Sequence, residues 1–355
     1  MTEIIKEMDY SFLSQEILRE KILKSYGLEK SYITQIKFKD TDKQRAVYKI
    51  ETASKAYCLK KVYYSISDLR FIYSSLEWFS RNGISVPKLL PTLDGGRYVA
   101  YNSMLFILTP WIEGEKCNYD NRAQVMESCR NLAFMHKSTK GFIPIKGSTK
   151  RVQKDDIYAS VMKHTENIIQ CYSEALSKKD KFSKVFLDHY RDNYTLASVS
   201  TDIASTIDIS NLSTSLCHLD YVNKNILFDK NDQIWVIDFD KCSIDYCAHD
   251  LSYFLRRLLK RSNTRWNIEL AADCISAYSS INPLTPDDLK YIYIYLCFPQ
   301  KFWKISRDYY NNFNKCNKTA FVSLLTKAVE HDEFHLKFLK DFKKILEANY
   351  HFNMR

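Results

Sequence analysis

CHLDYVNKNILFDKNDQIWVIDFD, residues 217–240, holds the chain's densest cluster of chemically useful side chains. Two short apolar runs, ILF and IWVI, flank the polar residues 229–233, which is hairpin chemistry with a turn centred near Asn231 and Asp232. Strands pairing about that centre set Ile226 against Ile237 and Asn225 against Asp238. Asp220 lies on the approach loop, so Asp220, Asn225 and Asp238 are expected to converge at the open end of the hairpin. Asp240 shares a strand face with Asp238 by period two and either binds a cation or shapes the site. Carboxylates gathered in this way repel one another unless a cation joins them. Mg²⁺ suits the set, because it takes a few protein oxygens and completes its shell with phosphate oxygens and water. In phosphoryl transfer such a metal spreads charge while a nearby carboxylate takes the proton of the attacking hydroxyl, a role that fits Asp220.

Working outward, Leu13, Ile17, Leu18 and Ile22 have helical spacing and predict a helix over 12–26. YITQIKF, RAVYKIET and AYCLKKVYY alternate and are rich in β-branched and aromatic residues, which predicts three antiparallel strands. Ser67 is the expected cap of a helix running to about Arg81 and ended by Gly83 and Pro87. GGRYVAY and MLFILTPWI add two strands, after which Gly114 opens an almost wholly helical remainder. Helices are expected within 173–211, then over 250–261, 266–280, 286–297 behind Thr285 and Pro286, and 318–348. The fold class is therefore α+β and two-lobed: a small antiparallel-sheet lobe over 1–113 and a larger, mainly helical lobe over 114–355.

Composition bounds the remaining classes. Hydrophobic residues make up 45% and charged residues 26% of the 355, as in globular proteins. No run approaches the roughly 18 apolar residues of a membrane span, and the start MTEIIKEMDY lacks a basic segment and an apolar one, so synthesis in the cytoplasm is expected. Ten cysteines are scattered without a CxxC pair, which predicts reduced, mostly buried thiols; Cys242, Cys247 and His249 have no second ligand pair at zinc spacing. The net charge of +10 suits an anionic partner, yet no nucleic-acid motif accompanies it. The 25 tyrosines are read either as compositional bias or as cross-linking sites in an assembled layer.

HLDxxxxN followed by IDFD resembles the catalytic and metal-binding loops of the aminoglycoside phosphotransferase and choline kinase-like superfamily, a branch of the protein kinase-like fold. The LKK strand with Lys60, the hinge-like FILTPWIEG, the LAFMHK helix with His136 and HDLSYFLRR extend the likeness over most of the chain. FPQKFWKISRDYY and IDFDKCSIDYCAHDLSYFLRR are similar to the CotS family of spore coat proteins. The resemblance implies an ATP- and Mg²⁺-dependent kinase with Asp220 as catalytic base and Asn225 and Asp238 as metal ligands. Lys60 would contact the α and β phosphates, with Lys61 as the alternative. Hinge residues 108–111, among them Leu108, Thr109 and Trp111, would meet the adenine through their backbone. It also implies a small-molecule or coat-component acceptor, other spore coat proteins as partners, synthesis in the sporulating mother cell and deposition on the spore.

Two features depart from that pattern. The turn KDTDKQ carries no glycine, leaving Lys43 or Arg45 to approach phosphate, and the helix after Lys60 has no acid at the usual pairing position, Glu77 falling a turn later. His218 is expected to bond the loop backbone, and Asp250 to cap the following helix or brace the loop. The rival readings are a kinase-fold coat component without turnover and, ranked last, a nucleic-acid binder.

Overall fold

Alternating β-branched and aromatic residues form strands where the pattern predicts them. In the computed structural model, which describes residues 13–39, 45–330 and 332–354, β1 (Tyr32–Lys39), β2 (Arg45–Glu51) and β3 (Ala56–Val62) are successive antiparallel neighbours. Phe12, Lys43 and the side chain of Arg45 lie outside the described residues. β4 (Val99–Tyr101) and β5 (Met104–Pro110) form a hairpin whose turn residues, Asn102 and Ser103, have φ of 46° and 60°. That geometry matches the twist of the flanking strands. β5 pairs with β3, giving the order β1-β2-β3-β5-β4. Ile33, Tyr48, Ile50, Leu59, Phe106 and Leu108 from this sheet bury themselves against Leu18, Ile22 and Leu23. The latter belong to an opening helical stretch made of α1 (Gln15–Ile17), a π-wound turn (Leu18–Ile22) and a 3₁₀ turn (Leu23–Tyr26).

The helix α2 (Ile66–Arg81) is capped by Ser65, whose hydroxyl accepts the N–H of Asp68 at 3.1 Å, and not by Ser67 as expected. Ser67 falls inside the first turn, where its hydroxyl accepts a hydrogen bond from Thr149 Oγ1 at 2.8 Å. Gly83, at φ 82°, supplies the left-handed residue after the helix end.

β6 (Glu115–Lys116), β8 (Ile226–Phe228) and β9 (Ile234–Val236) form a second sheet. Gly114 is required at its edge, since a Cβ there would lie 2.8 Å from the Phe228 carbonyl oxygen. The β8–β9 loop closes through the Asp229 N–H, which donates to the Gln233 carbonyl at 3.0 Å, with Asp232 at φ 59°. This moves the centre of the turn to Asn231, and β9 stops at Val236. The expected ladder partnership of Asn225 with Asp238 therefore does not form: both lie outside the strands, Asn225 as the last residue of the 3₁₀ turn Asn223–Asn225 and Asp238 just before the 3₁₀ turn Phe239–Lys241.

The helices are α3 (Arg122–Lys137), α4 (Ile157–Lys178), α5 (Lys181–Ala204), α6 (Cys247–Leu259), α7 (Ile268–Ser279), α8 (Pro286–Cys297), α9 (Gln300–Asn311), α10 (Lys318–Val329) and α11 (Asp332–Tyr350). β7 (Thr214–Cys217) pairs antiparallel with β10 (Ser243–Tyr246) among them. The start of α8 carries the signalled cap, with Thr285 and Asp288 bonding each other's backbone in a reciprocal box. The stretch expected as one helix over 318–348 is two helices, because each finds its own partners: α10 packs on α9 and α5, α11 on α8 and α7. The helix α9 was not anticipated; its buried face is Phe302, Trp303, Ser306 and Tyr309.

The chain forms two compact units. One contains the described part of Met1–Lys116 with Gly141–Arg151 and Leu227–Asp240; the other contains Cys117–Lys140, Val152–Ile226 and the described part of Lys241–Arg355. All ten cysteines are free and eight are buried. No helix among the described residues is long and apolar enough to cross a membrane.

Candidate active site

In the helical unit the chain leaves β7 at Cys217 and enters a loop that is braced from below. Asp250, buried near the start of α6, accepts the backbone N–H of His218 at 2.7 Å and that of Leu219 at 3.0 Å. His136 Nε2 lies 3.3 Å from the same carboxylate, and its Nδ1 lies 2.6 Å from the Tyr278 hydroxyl. Burial raises the pKa of Asp250, but the hydrogen bond and charge of His136 outweigh it and hold the carboxyl below its ordinary value. Leu219 takes φ 58°, and His218 Nδ1 accepts the N–H of Asp220 at 3.1 Å, so the ring proton is assigned to Nε2. His218 and Asp250 thus both brace the loop; of the two roles expected for Asp250 the helix cap is not taken, because α6 begins earlier, with Tyr246 at its N-cap. The buried Tyr221 donates from its hydroxyl to the Ser128 carbonyl at 2.9 Å and pins the next residue.

This scaffold presents Asp220. Asn225 Nδ2 donates to the Asp220 carbonyl at 2.9 Å and to its Oδ2 at 3.0 Å, fixing the carboxylate. Lys224 Nζ stands 3.2 Å from Oδ2 and Lys241 Nζ 3.3 Å from Oδ1, while the Tyr253 hydroxyl donates to Oδ1 at 3.4 Å. Burial pushes the Asp220 pKa up, but the two lysines win and hold it below the ordinary carboxylate value. Lys224, Lys241 and Tyr253 were not singled out from the sequence. Spacing gave a signal only for Lys224, four residues after Asp220.

In the sheet-bearing unit Lys60 on β3 reaches the loop after β9. Its Nζ donates to Asp238 Oδ1 at 2.7 Å and to Asp240 Oδ1 at 2.6 Å. Burial opposes the ammonium charge, but Asp240 and then Asp238 overcome it and hold the Lys60 pKa above the ordinary lysine value. The acid missing from α2 is therefore replaced by two acids of the 238–240 segment; Glu77 lies 3.5 Å from Lys88 instead. Asp238 adopts φ 67°, so a left-handed residue, not strand periodicity, places it with Asp240 on one cation. Arg151, also unnoticed in the sequence, donates from Nη2 to the Asp240 backbone carbonyl at 2.7 Å.

The donor set here fits Mg²⁺. Two carboxylates already share one cation, and the buried Asp240 Oδ2 has no hydrogen-bond partner, a hard oxygen of the kind Mg²⁺ takes. Tyr64 Oη and Arg151 Nη1 are likewise buried and unpartnered.

The hinge strand has its own parity. Thr109 pairs with Cys58 and the Trp111 N–H donates to Ala56 at 3.1 Å, so both turn their backbone toward β3. The Leu108 carbonyl accepts from the Leu90 N–H at 2.8 Å on the other side. The Trp111 N–H and the Leu108 carbonyl thus each already have a partner within the fold.

His249 Nδ1 lies 2.8 Å from Asp245 Oδ2. Among the described residues, ligand-type atoms of His136, Cys217 and Asp250 lie within 4.8 Å of one another, but Asp250 is committed to the loop amides.

Known proteins share this architecture. Spore coat protein S of Bacillus subtilis (strain 168) is 20% identical over 345 residues, covering 93% of this chain and 96% of that one. The structure of an aminoglycoside phosphotransferase from Alicyclobacillus acidocaldarius matches with a TM-score of 0.76 at 19% identity, over 92% of this chain and 95% of that one. Spectinomycin phosphotransferase in complex with ADP and spectinomycin matches with a TM-score of 0.60 at 18% identity, over 94% and 96%. The shared fold is the expected α+β arrangement, and the similarity to spore coat protein S carries the CotS resemblance within the aminoglycoside phosphotransferase group. A family model described as phosphotransferase enzyme family matches residues 39–284, more than half of the sequence, and the chain belongs to that family.

Proposed function

We propose that this chain is an ATP- and Mg²⁺-dependent phosphotransferase that moves the γ-phosphoryl group to a hydroxyl of a small molecule or coat component. The observation that carries the reading is the Asp220 carboxylate, aimed by Asn225 Nδ2 at 3.0 Å and kept ionised by Lys224 and Lys241. Asp220 takes the proton of the acceptor hydroxyl as its oxygen bonds to the γ-phosphorus and ADP departs. Asn225 gives its amide N–H to Asp220, which leaves Oδ1 as the atom for a cation; Asn225 and Asp238 are the proposed ligands, with Asp240 Oδ2 as an additional one. Bound there, Mg²⁺ would neutralise charge on the phosphates. Lys60 exchanges its carboxylate partners for the α and β phosphates when nucleotide enters. For adenine, strand parity favours the Pro110 carbonyl and Ile112 N–H over the groups of Thr109 and Trp111.

Residues 1–113 are assigned to covering the nucleotide, and 114–355 to catalysis and acceptor binding. The likeness to spore coat protein S supports synthesis in the mother cell and deposition on the coat, with other coat proteins as partners. The test is phosphate transfer and nucleotide binding by wild type and Asp220→Ala. Turnover should fall about 10²–10⁴-fold while Mg·ATP binding persists; equal inertness of both proteins would sink the proposal.

A second reading is a coat component that keeps the fold without turnover. It is favoured by the relative's name and by Glu77 being engaged with Lys88. A Tm rise of several degrees with Mg·ATP supports the enzyme, and no shift at millimolar nucleotide supports the scaffold.

A further inference from the structure

Six cationic side chains gather around Asp220 and the end of α6 in the helical unit. Lys224 and Lys241 touch the carboxylate itself, at 3.2 and 3.3 Å. Tyr253 donates to Asp220 at 3.4 Å and receives a hydrogen bond from Arg257 Nη2 at 2.9 Å, so Arg257 stands two hydrogen bonds from the proposed base. Tyr253, Arg256, Arg257 and Lys260 follow one another at helical spacing from α6 into its C-cap. Arg256 Nη1 donates to Gln300 Oε1 at 2.9 Å, which brings the first turn of α9, with Lys301, against the end of α6.

Basic residues in a last turn complement the helix dipole, and that accounts for part of this pattern. It does not account for the rest. Among the described residues, Arg256, Arg257, Lys260 and Lys301 make no ion pair with a carboxylate; the nearby Asp120 is taken by Arg261 at 2.8 Å. Arg256 Nη2 is buried and without a partner. The first turn of α9 has no side-chain cap, so its amides add to the positive field. Burial and then Arg257, Lys301 and Arg256 bring the Lys260 pKa down to about 8, the mark of cations crowded without a neutralising acid.

We propose that the acceptor is an anion, a polyol carrying carboxylate or phosphate groups, held by Arg257, Lys260 and Lys301 while its hydroxyl meets Asp220. The proposal rests on the phosphotransferase reading for its use of Asp220, but the charge preference is a property of the surface. A cationic acceptor would meet like charge at Lys224, Lys241 and Arg257 beside the carboxylate.

The test uses charge-matched oligomers in the presence of Mg·ADP, read by calorimetry at two salt concentrations. Trigalacturonate presents carboxylates, tri(glycerol phosphate) presents phosphates, cellotriose is neutral, and the glucosamine trimer is cationic. At least one anionic oligomer should bind ten-fold or more tightly than the neutral and cationic ones, and the two anionic arms show which group is recognised. Arg257→Ala/Lys260→Ala should remove that preference, and so should the exposed single change Lys301→Glu if the double variant folds poorly. Lys181→Ala/Lys184→Ala, which removes two exposed cations elsewhere, should keep it. Equal affinity for all four oligomers, tighter binding of the glucosamine trimer, or a preference that survives Arg257→Ala/Lys260→Ala overturns the proposal. Because binding is the readout, a protein that prefers anions yet transfers no phosphate defeats only the enzymatic reading.

Discussion

The carboxylate of Asp250 accepts the backbone N–H of Leu219, a residue held at φ 58°, at 3.0 Å. A leucine in the left-handed region costs about 1–2 kcal/mol, and the loop keeps it because a buried charge is satisfied by two amides and a histidine. Asp250→Ala leaves His136 and both amides without their acceptor. It should lower unfolding free energy by about 3–5 kcal/mol in urea titrations. Asp250→Asn should cost less, since the amide oxygen still accepts; equal losses would show that the charge is irrelevant.

Lys60 is the cation that Asp238 and Asp240 share. Lys60→Met leaves two carboxylates facing one another, a stronger attraction for a divalent ion. The variant should be less stable than wild type without metal and should gain more in Tm on adding MgCl₂, by mass action. The same Mg²⁺ response in both proteins would argue that the two acids do not hold a metal together.

The pH dependence of stability follows from His136, whose pKa is pushed up to about 10. Burial opposes its charge, and the Cys247 and Asp250 groups favour it. A raised folded-state pKa means the contribution is complete below the ordinary histidine value near 6.5 and is lost as pH climbs through 10. Wild type should therefore lose Tm between these limits more steeply than His136→Gln. Parallel curves for the two proteins contradict the charged pair.

Gly114 sits where a Cβ would approach the Phe228 carbonyl oxygen to 2.8 Å and the adjoining carbonyl carbon to 3.2 Å. Both neighbours are backbone, so they cannot swing aside. Gly114→Ala should destabilise by about 1–3 kcal/mol in a denaturant titration. A neutral or stabilising effect would mean that β6 moves away from β8 easily.

Much of the fold was legible because its signals are local. Alternation placed β1, β2 and β3, the Thr285-Pro286 start placed α8, and Gly83 ended α2. Where two local signals competed, the tertiary contact settled the matter: Ser67 looks as good a cap as Ser65, but its hydroxyl is engaged by Thr149. The boundary between α10 and α11 was hidden for the same reason, since periodicity runs on while the packing partners change.

What the amino-acid order determined alone is the identity of the candidate groups: an acid and an amide five residues apart, then two acids after a hairpin, and a lysine on an early strand. Their partners were decided only by folding. Asp238 meets Asp240 at Lys60 through a left-handed backbone residue, and Asp220 gains Lys241 and Tyr253 from segments that spacing does not connect to it. The physical reason is that backbone periodicity reports neighbours within a turn or a strand. A charge acts over ångströms of space, and chain separation places no limit on which charges the fold brings that close.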